Sequence, residues 1–346
     1  MKRMLIIGGA GFIGVNSARY FALKGWQVTV LDDLSRMGTK KNLSWLMRDY
    51  PKNIKFIKAD VVSDLAHLSK QIGLNDVVIH LAAQVAVTTS IFNPRHDFLV
   101  NVVGTFNILE AIRLSKNKPI LLYSSTNKVY GSLPEVPVVM KKKRYEFKDR
   151  NKKSYGIDEN AVIDFHSPYG CSKGAADHYV IDYSRIYGIK TVVFRQSCIY
   201  GEYQFGVEDQ GWVAWFAIAS MLKKKLTIYG NGKQVRDLLF VDDLVRLYEK
   251  AIEKINKVNG QAFNIGGGPK NTLSLIELLE SLQGKYSLRT KITRASVRAG
   301  DQPVFVADIR KAKKLLGWSP KISVDAGLKR LVNWTIKHKR DIQEIK

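Results

Sequence analysis

Short apolar runs alternate with helical stretches through the first two hundred residues. The runs lie at 4–8, 26–33, 54–60, 76–83, 119–125 and 190–197. Strands that alternate with helices predict a parallel sheet joined by right-handed crossovers. We therefore predict an α/β fold built on a doubly wound parallel sheet.

The chain length and one later apolar run indicate how the rest is organised. A chain of 346 residues is long for one compact core, so two lobes are expected. We predict a sheet domain over 1–201 and a smaller α/β substrate lobe over 202–346, with segments such as 237–268 returning to the sheet. The run WVAWFAIASML at 212–222 is too short to cross a bilayer and predicts a buried helix.

The N-terminus and the cysteines favour a cytoplasmic protein without membrane attachment. Glycines interrupt the apolar run of MKRMLIIGGAGFIG almost at once, which is typical of a first strand and not of a signal peptide. Cys171 and Cys198 form no C-x-x-C pair, which fits a reducing compartment and predicts no metal site.

The net charge of +24 has two interpretations. Clustered Lys and Arg are what a nucleic-acid-binding protein needs to neutralise phosphates. A basic, solvated surface that attracts small anionic ligands explains the same charge. The basic runs at 141–144 and 223–225 have no glycine–aromatic RNA motif around them, so we favour the second interpretation and predict no nucleic-acid partner.

A glycine-rich segment follows the first strand. Gly8, Gly11 and Gly14 have the G-x-x-G-x-x-G spacing before a helical stretch. Such glycines allow a tight turn, a close approach to a pyrophosphate and tight helix packing, and the helix N-terminus favours phosphate. Asp32 ends the second strand, where a carboxylate binds a ribose diol and repels a 2′-phosphate. We predict a Rossmann-type domain that binds NAD.

Ligands of such sheets lie beyond the carboxyl ends of the strands, where Tyr169 is predicted to lie. The Tyr-x-x-x-Lys spacing occurs at Tyr20/Lys24, Tyr229/Lys233 and Tyr169/Lys173. The first pair falls late on a helix and the second flanks a Gly-Asn-Gly turn. The third follows Ser-Pro, a typical helix start, so its side chains share one helical face. That pair is the candidate for chemistry.

These motifs together resemble the extended short-chain dehydrogenase/reductase family of nucleotide-sugar enzymes. The matching segments include GGAGFIG, LDDLS, HLAAQ, NVVGT, YSSTNKVYG, YGCSK, GNGKQVRD, FNIGGG and RAGDQP. Within that family, HLAAQVAVTTSIFNP, DFHSPYGCSKGAADHYV and DQGWVAWF are most similar to enzymes that invert C2 of a CDP-hexose with tightly held NAD. The resemblance implies an NAD-dependent epimerase with a CDP-sugar substrate that forms a homo-oligomer, either a dimer or a tetramer.

The resemblance implies roles for three residues. Tyr169 would be the general base and acid, Lys173 its electrostatic partner, and Thr126 the hydroxyl that orients the sugar. A free phenol has a pKa near ~10, and an adjacent ammonium and the nicotinamide ring would favour the phenolate. Asn101 would fix backbone in the active-site helix or act as a helix cap.

Further residues are expected around the two ligands. Those expected to contact the cofactor are Gly8, Gly11, Phe12, Ile13, Gly14, Asp32, Asp33, Ser35, Arg36, Asp60, Val61, Leu81, Ala82, Ala83, Gln84, Asn101, Ser124, Tyr169 and Lys173. Those expected to contact the substrate are Gln84, Thr88, Thr126, Asn127, Tyr169, Gln196, Gln210, Arg236, Arg298 and Asp301. Of these, the resemblance assigns Arg236 and Arg298 to the diphosphate, which suits their planar forks. Thr89 and Ser90 are also expected to face the sugar.

Departures from the family pattern and rival functions qualify this picture. Cys198 replaces an asparagine common in the family, and the lysine-rich segment 131–169 is expected to form a lid or an exposed loop.

The related 4,6-dehydratases place Asp-Glu directly after the catalytic threonine. Asn127 and Lys128 occupy these two positions here, so we reject dehydration. A nucleotide-sugar 4-epimerase stays open, since it uses the same catalytic residues. A nucleic-acid-binding protein on a retired dehydrogenase scaffold would have no reason to keep them.

Overall fold

A computed structural model describes residues 2–298 and 300–345. The strands are β1 (Arg3–Ile7), β2 (Gln27–Asp32), β3 (Ile54–Lys58), β4 (Val77–His80), β5 (Ile120–Thr126), β6 (Val138–Met140), β7 (Tyr145–Phe147), β8 (Thr191–Gln196), β9 (Cys198–Tyr200), β10 (Leu226–Tyr229), β11 (Val235–Phe240), β12 (Gln261–Ile265), β13 (Thr272–Ser274), β14 (Ile292–Ala295) and β15 (Val304–Phe305). The α-helices are α1 (Phe12–Leu23), α2 (Thr39–Asp49), α3 (Leu65–Gly73), α4 (Val87–Phe92), α5 (Pro94–Phe98), α6 (Gly104–Leu114), α7 (Arg150–Tyr155), α8 (Ser167–Tyr187), α9 (Trp212–Met221), α10 (Val241–Glu253), α11 (Ile255–Val258), α12 (Leu275–Tyr286), α13 (Arg310–Leu316), α14 (Val324–Lys337) and α15 (Lys339–Ile345). A π-helical turn precedes α6 and a 3₁₀ turn, Asn127–Tyr130, follows β5.

Seven strands form the central sheet in the order β12-β8-β5-β4-β1-β2-β3. Every neighbouring pair is parallel, and the order runs outward in both directions from β1, as in doubly wound folds. The predicted α/β fold class is therefore confirmed. Within 237–268, β12 joins this sheet, whereas β11 pairs with β9, β13 and β15 outside it. The domain boundary at 201 stays a prediction.

The central strands are buried on both faces. Alternate residues of β1 enter different cores: Met4 and Ile6 pack with α1 and α10, whereas Leu5 and Ile7 pack with α3, α6 and α8. Parallel strands covered by helices on both sides are apolar at nearly every position. That explains why these strands are continuous apolar runs in the sequence, and why their polar residues occur at the carboxyl ends.

The apolar run at 212–222 forms the buried helix α9, as predicted, with seven of its residues buried. No helix among the described residues is long and apolar enough to cross a membrane.

The lysine-rich segment 131–169 is not an exposed irregular loop. It contains the antiparallel hairpin β6–β7 and helix α7. Phe147 and Ile157 are buried in one apolar cluster with Phe305, and Arg144 Nη2 donates to Thr272 Oγ1 at 2.7 Å. The expectation of a loop was wrong because apolar residues between the lysines pack against later segments of the chain, and the expectation of a lid stays a prediction.

Candidate active site

The glycine loop brings β1, α1 and β4 close together. Gly8 has φ +79°, and a Cβ there would lie 2.5 Å from the Ala82 backbone nitrogen. A Cβ on Gly14 would lie 2.5 Å from the Gly8 carbonyl oxygen. A Cβ on Gly11 would meet only the Gly8 carbonyl oxygen, at 3.2 Å. Two of the glycines therefore allow close packing, and the third leaves the N-terminus of α1 open to a ligand.

Two adjoining cavities, of about 610 Å³ and about 390 Å³, open at the carboxyl ends of the strands. Gly8, Gly11, Arg36, Leu81 and Ala83 line both cavities. Other predicted cofactor residues line only the smaller one: Asp32, Asp33, Ser35, Asp60, Val61, Ala82 and Gln84. The other predicted residues that line the larger cavity are Phe12, Ile13, Gly14, Thr88, Ser124, Thr126, Asn127, Tyr169, Lys173, Gln196, Gln210, Arg236, Arg298 and Asp301. Of these, Gln210 also lines the smaller cavity.

Asp32 lies at the end of β2 with its carboxylate largely buried. Its oxygens accept hydrogen bonds from the backbone N–H groups of Ala10, at 3.0 Å, and Leu34, at 2.8 Å. Burial raises the pKa of Asp32, and these backbone donors oppose the rise. A carboxylate accepts about four hydrogen bonds, so Asp32 retains acceptor capacity for a ribose diol at the cavity wall.

Tyr169, Lys173 and Thr126 meet in the larger cavity. Lys173 follows Tyr169 by one turn of α8, and its Nζ donates to the Ser124 carbonyl at 2.6 Å. Burial lowers the pKa of Lys173 to about 7. Burial also raises the pKa of Tyr169 to about 12, although the hydrogen bond with Thr126 opposes the rise. The expected preference for phenolate depends on the nicotinamide ring as well as on Lys173, and it stays a prediction.

Two residues predicted to contact ligands, Asn101 and Gln84, use their side-chain amides in hydrogen bonds within the protein. Asn101 is buried and lines neither cavity; its Nδ2 donates to the Gln84 carbonyl, Asp97 and the Ser172 hydroxyl. The Gln84 side chain donates to Asp97 at 2.8 Å. It also donates to the Ala86 carbonyl and accepts a hydrogen bond from the Ala86 N–H.

Ser90 is also buried, and its hydroxyl accepts the Tyr169 N–H at 3.2 Å. It therefore does not face the sugar, while Thr89 lines the smaller cavity. Thr88 faces the larger cavity, and its buried hydroxyl has no hydrogen-bond partner among the described residues.

A buried ion pair behind the catalytic residues was missed in the sequence. Arg195 donates from Nε and Nη2 to the two oxygens of Asp177, each at 3.0 Å. The Ser125 hydroxyl donates to the same carboxylate at 2.7 Å. Asp177 follows Lys173 by four residues on α8, so the shared helical face was the available signal. The pair joins α8, β5 and β8 directly behind Thr126.

Arginines line the outer part of the larger cavity. Arg236 Nη2 donates to Asp301 at 2.6 Å, and Arg298 Nη2 donates to Asp209 at 2.8 Å. The Arg298 guanidinium carbon lies 3.9 Å from the centroid of the Tyr229 ring. No role was predicted for Tyr229, yet this residue lines the cavity. By contrast, Tyr20 and Lys24 both bind Glu249 away from the site.

The turn Val207–Gln210 lies between the two cavities. Its ends exchange backbone hydrogen bonds, from Val207 N–H to the Gln210 carbonyl at 2.9 Å and back at 3.0 Å. Arg36 donates to Gln210 Oε1 from the cofactor side, and Arg298 donates to Asp209 from the other side. One turn of the second lobe thus contacts charged groups of both cavities.

Cys198 lines the larger cavity, where the family commonly has asparagine. Burial raises the pKa of its thiol to about 12, so the side chain is neutral. Among the residues the structure describes, no group of three or more His, Cys, Asp or Glu side chains is arranged to hold a metal ion.

Comparison with known proteins identifies the family. A profile of the family described as GDP-mannose 4,6 dehydratase matches residues 5–331. The chain belongs to this family. The resemblance inferred from the motifs is thereby confirmed.

Members of the family with known names are similar over nearly their whole length. CDP-paratose 2-epimerase of Salmonella typhi is 46% identical over 96% of this chain and 99% of its own. A putative UDP-glucose 4-epimerase of Methanocaldococcus jannaschii is 33% identical over 97% and 99%. The structure of UDP-glucuronic acid 4-epimerase from Bacillus cereus, in complex with UDP-glucuronic acid and NAD, has a TM-score of 0.81 at 27% identity, covering 99% of this chain and 100% of that one.

Proposed function

We propose that the protein inverts C2 of a CDP-hexose, converting a CDP-paratose-type sugar to its CDP-tyvelose-type epimer or acting on CDP-glucose, with NAD as cofactor. The convergence of Tyr169, Lys173 and Thr126 beside the glycine loop carries this proposal. The 46% identity to a CDP-paratose 2-epimerase supports the position and the nucleotide.

The cavities suit NAD. The glycine loop presents the N-terminus of α1 to a pyrophosphate, and Asp32 offers a carboxylate to the adenosine ribose. Bound NAD would accept hydride from the sugar and return it. Its positively charged ring would also offset the desolvation that raises the pKa of Tyr169.

Tyr169 acts on the proton of the C2 hydroxyl. The C2–H bond has no neighbouring carbonyl in the starting sugar, so no side chain removes that hydrogen as a proton at neutral pH. Tyr169 would take the hydroxyl proton when C2 is oxidised to the ketone, and would return it when the 2-keto sugar is reduced on the opposite face. Thr126 would orient the same oxygen, and Lys173 would hold the nicotinamide ribose.

Inversion requires the sugar to turn while the nucleotide stays bound. C2 adjoins the anomeric carbon, so rotation about the sugar–phosphate bonds presents the second face to the cofactor. Arg236 and Arg298 hold the diphosphate during that rotation, with forks that fit phosphate oxygens. Asp209 and Asp301, which bind these arginines in the protein alone, would exchange them for the diphosphate.

The hydride route predicts the fate of the hydrogen at C2. Epimerisation of CDP-paratose in D₂O should give product without deuterium at C2, and substrate labelled at C2 should keep its label, as read by NMR. Substantial solvent deuterium at C2 would overturn the mechanism.

A nucleotide-sugar 4-epimerase is the second candidate, because relatives with that name share the fold and length. Screening CDP-paratose, CDP-glucose and UDP-glucose separates the two. Interconversion at C4 of UDP-glucose without any reaction at C2 of the CDP-sugars would favour it. The homo-oligomer and the cytoplasmic location stay predictions.

A further inference from the structure

Lys128 lies in the larger cavity, in the turn that follows the catalytic threonine. Its backbone N–H donates to Thr126 Oγ1 at 3.2 Å, and its Nζ donates to the Gly300 carbonyl at 3.1 Å. The side chain is about one-fifth exposed, on the cavity side. An ammonium has three N–H donors, so Lys128 can donate to a ligand in the cavity as well as to the Gly300 carbonyl.

The charges around Lys128 favour the binding of an anion. Lys128 Nζ lies 3.8 Å from Asp301 Oδ1, and Arg236 Nη2 donates to that same oxygen at 2.6 Å. Burial lowers the pKa of Lys128 to about 8; Arg236 adds to the lowering and Asp301 opposes it. Lys128 is therefore mostly cationic at neutral pH. Two cations share one carboxylate oxygen, which leaves a net positive charge in a poorly solvated site.

The position of Lys128 relative to the sugar follows from its neighbours and from the reaction. The backbone of Lys128 contacts the hydroxyl of Thr126, and its side chain lies beside Asp301, the partner of Arg236. Lys128 therefore lies between the proposed catalytic threonine and the arginine assigned to the diphosphate. The carbon that adjoins C2 on the phosphate side is C1, and C1 carries the β-phosphate.

We propose that Lys128 binds the β-phosphate of the nucleotide sugar and thereby places C2, and not C4, at Tyr169. This proposal rests on the proposed C2 epimerisation. It makes Lys128 a specificity-determining residue. Arg236, which donates to the same oxygen of Asp301, would hold the same diphosphate.

Binding of CDP and CMP tests the phosphate contact without turnover. Isothermal titration calorimetry would compare the purified holoenzyme with its Lys128→Met, Lys128→Gln and Lys128→Arg variants. Loss of a charge-assisted hydrogen bond should weaken CDP binding about ten- to a hundred-fold, and CMP, which lacks the β-phosphate, by less than about three-fold. Lys128→Arg should stay near the wild type. Lys142→Met, an exposed site with the same loss of charge, is the matched control.

The ratio of the two affinities separates phosphate binding from a structural role. Equal weakening of CDP and CMP would mean that Lys128 only holds the backbone at Gly300, and would overturn the proposal, as would unchanged CDP binding. If the protein prefers UDP to CDP, the cytidine assignment fails, and UDP against UMP tests Lys128 in the same way.

The choice of C2 over C4 as the inverted carbon is tested by following the conversion of CDP-glucose by NMR. The wild type and Lys128→Arg should invert C2. Lys128→Met should lose at least about ten-fold in kcat/KM at C2, or begin to invert C4. Wild-type kcat/KM at C2 in Lys128→Met would refute the selection.

Discussion

The buried pair Asp177–Arg195 should contribute strongly to stability. Substitution Asp177→Asn removes the negative charge but keeps the shape, so the Arg195 guanidinium, whose side chain is 5% exposed, is left without its counter-charge. Breaking one side of a buried pair costs about 3–5 kcal/mol. The expected loss is at the upper part of that range, because the same carboxylate also binds the Ser125 hydroxyl.

Urea unfolding followed by tryptophan fluorescence measures this loss, at one fixed NAD concentration because bound ligand adds stability. A loss of about 4 kcal/mol lowers the midpoint by about 1 M, since the urea slope rises with chain size. Asp182→Asn is the matched control: Asp182 lies on the same helix and pairs with Arg185 at 3.7 Å on the surface, where such a pair is worth at most about 0.5 kcal/mol. If the free energy of unfolding of Asp177→Asn were within about 1 kcal/mol of the wild-type value, the desolvation cost of the two charges would offset their attraction. Our reasoning would then be wrong.

Two further outcomes follow from the site. Tyr169→Phe should lower kcat by about 10²–10⁴ with nearly unchanged substrate binding, because the phenol acts only on the transferred proton; Tyr20→Phe should leave steady-state kinetics intact, and an inactive Tyr20→Phe would refute the assignment. Denaturing the purified protein should release NAD and not NADP, because the Asp32 carboxylate repels a 2′-phosphate. Stoichiometric NADPH in the supernatant, identified by chromatography and absorbance, would contradict this.

The sheet and the catalytic residues were predictable because local patterns determine them. Apolar strands buried on both faces and glycines at a tight turn are visible without knowledge of the fold, and i, i+4 spacing put Tyr169 and Lys173 on one face. Gln84 and Asn101 were assigned to ligands because they follow or face strand ends. Both side-chain amides bond Asp97 and nearby backbone. Asn101 lines neither cavity, whereas Gln84 lines the smaller one. These contacts depend on the path of the chain around Asp97, which the sequence pattern does not show.

Contacts between distant segments were not predictable from spacing. Tyr229 was predicted to flank a turn, yet the guanidinium of Arg298, almost seventy residues later, lies over its ring. In the sequence, Lys128 served only to reject dehydration, because it is not a carboxylate. In the fold it lies beside Asp301. Such pairings depend on long-range topology, which no local periodicity encodes.

The turn Val207–Gln210 contacts groups of both cavities, through Arg36 on one side and Arg298 on the other. A diphosphate that draws Arg298 away from Asp209 would remove one of these two arginine contacts. If the turn then shifts at Gln210, the factor by which nucleotide sugar changes the affinity for the dinucleotide must equal the factor by which the dinucleotide changes the affinity for nucleotide sugar, since linkage is reciprocal. Titrating either ligand in the presence of the other would then measure one and the same coupling free energy.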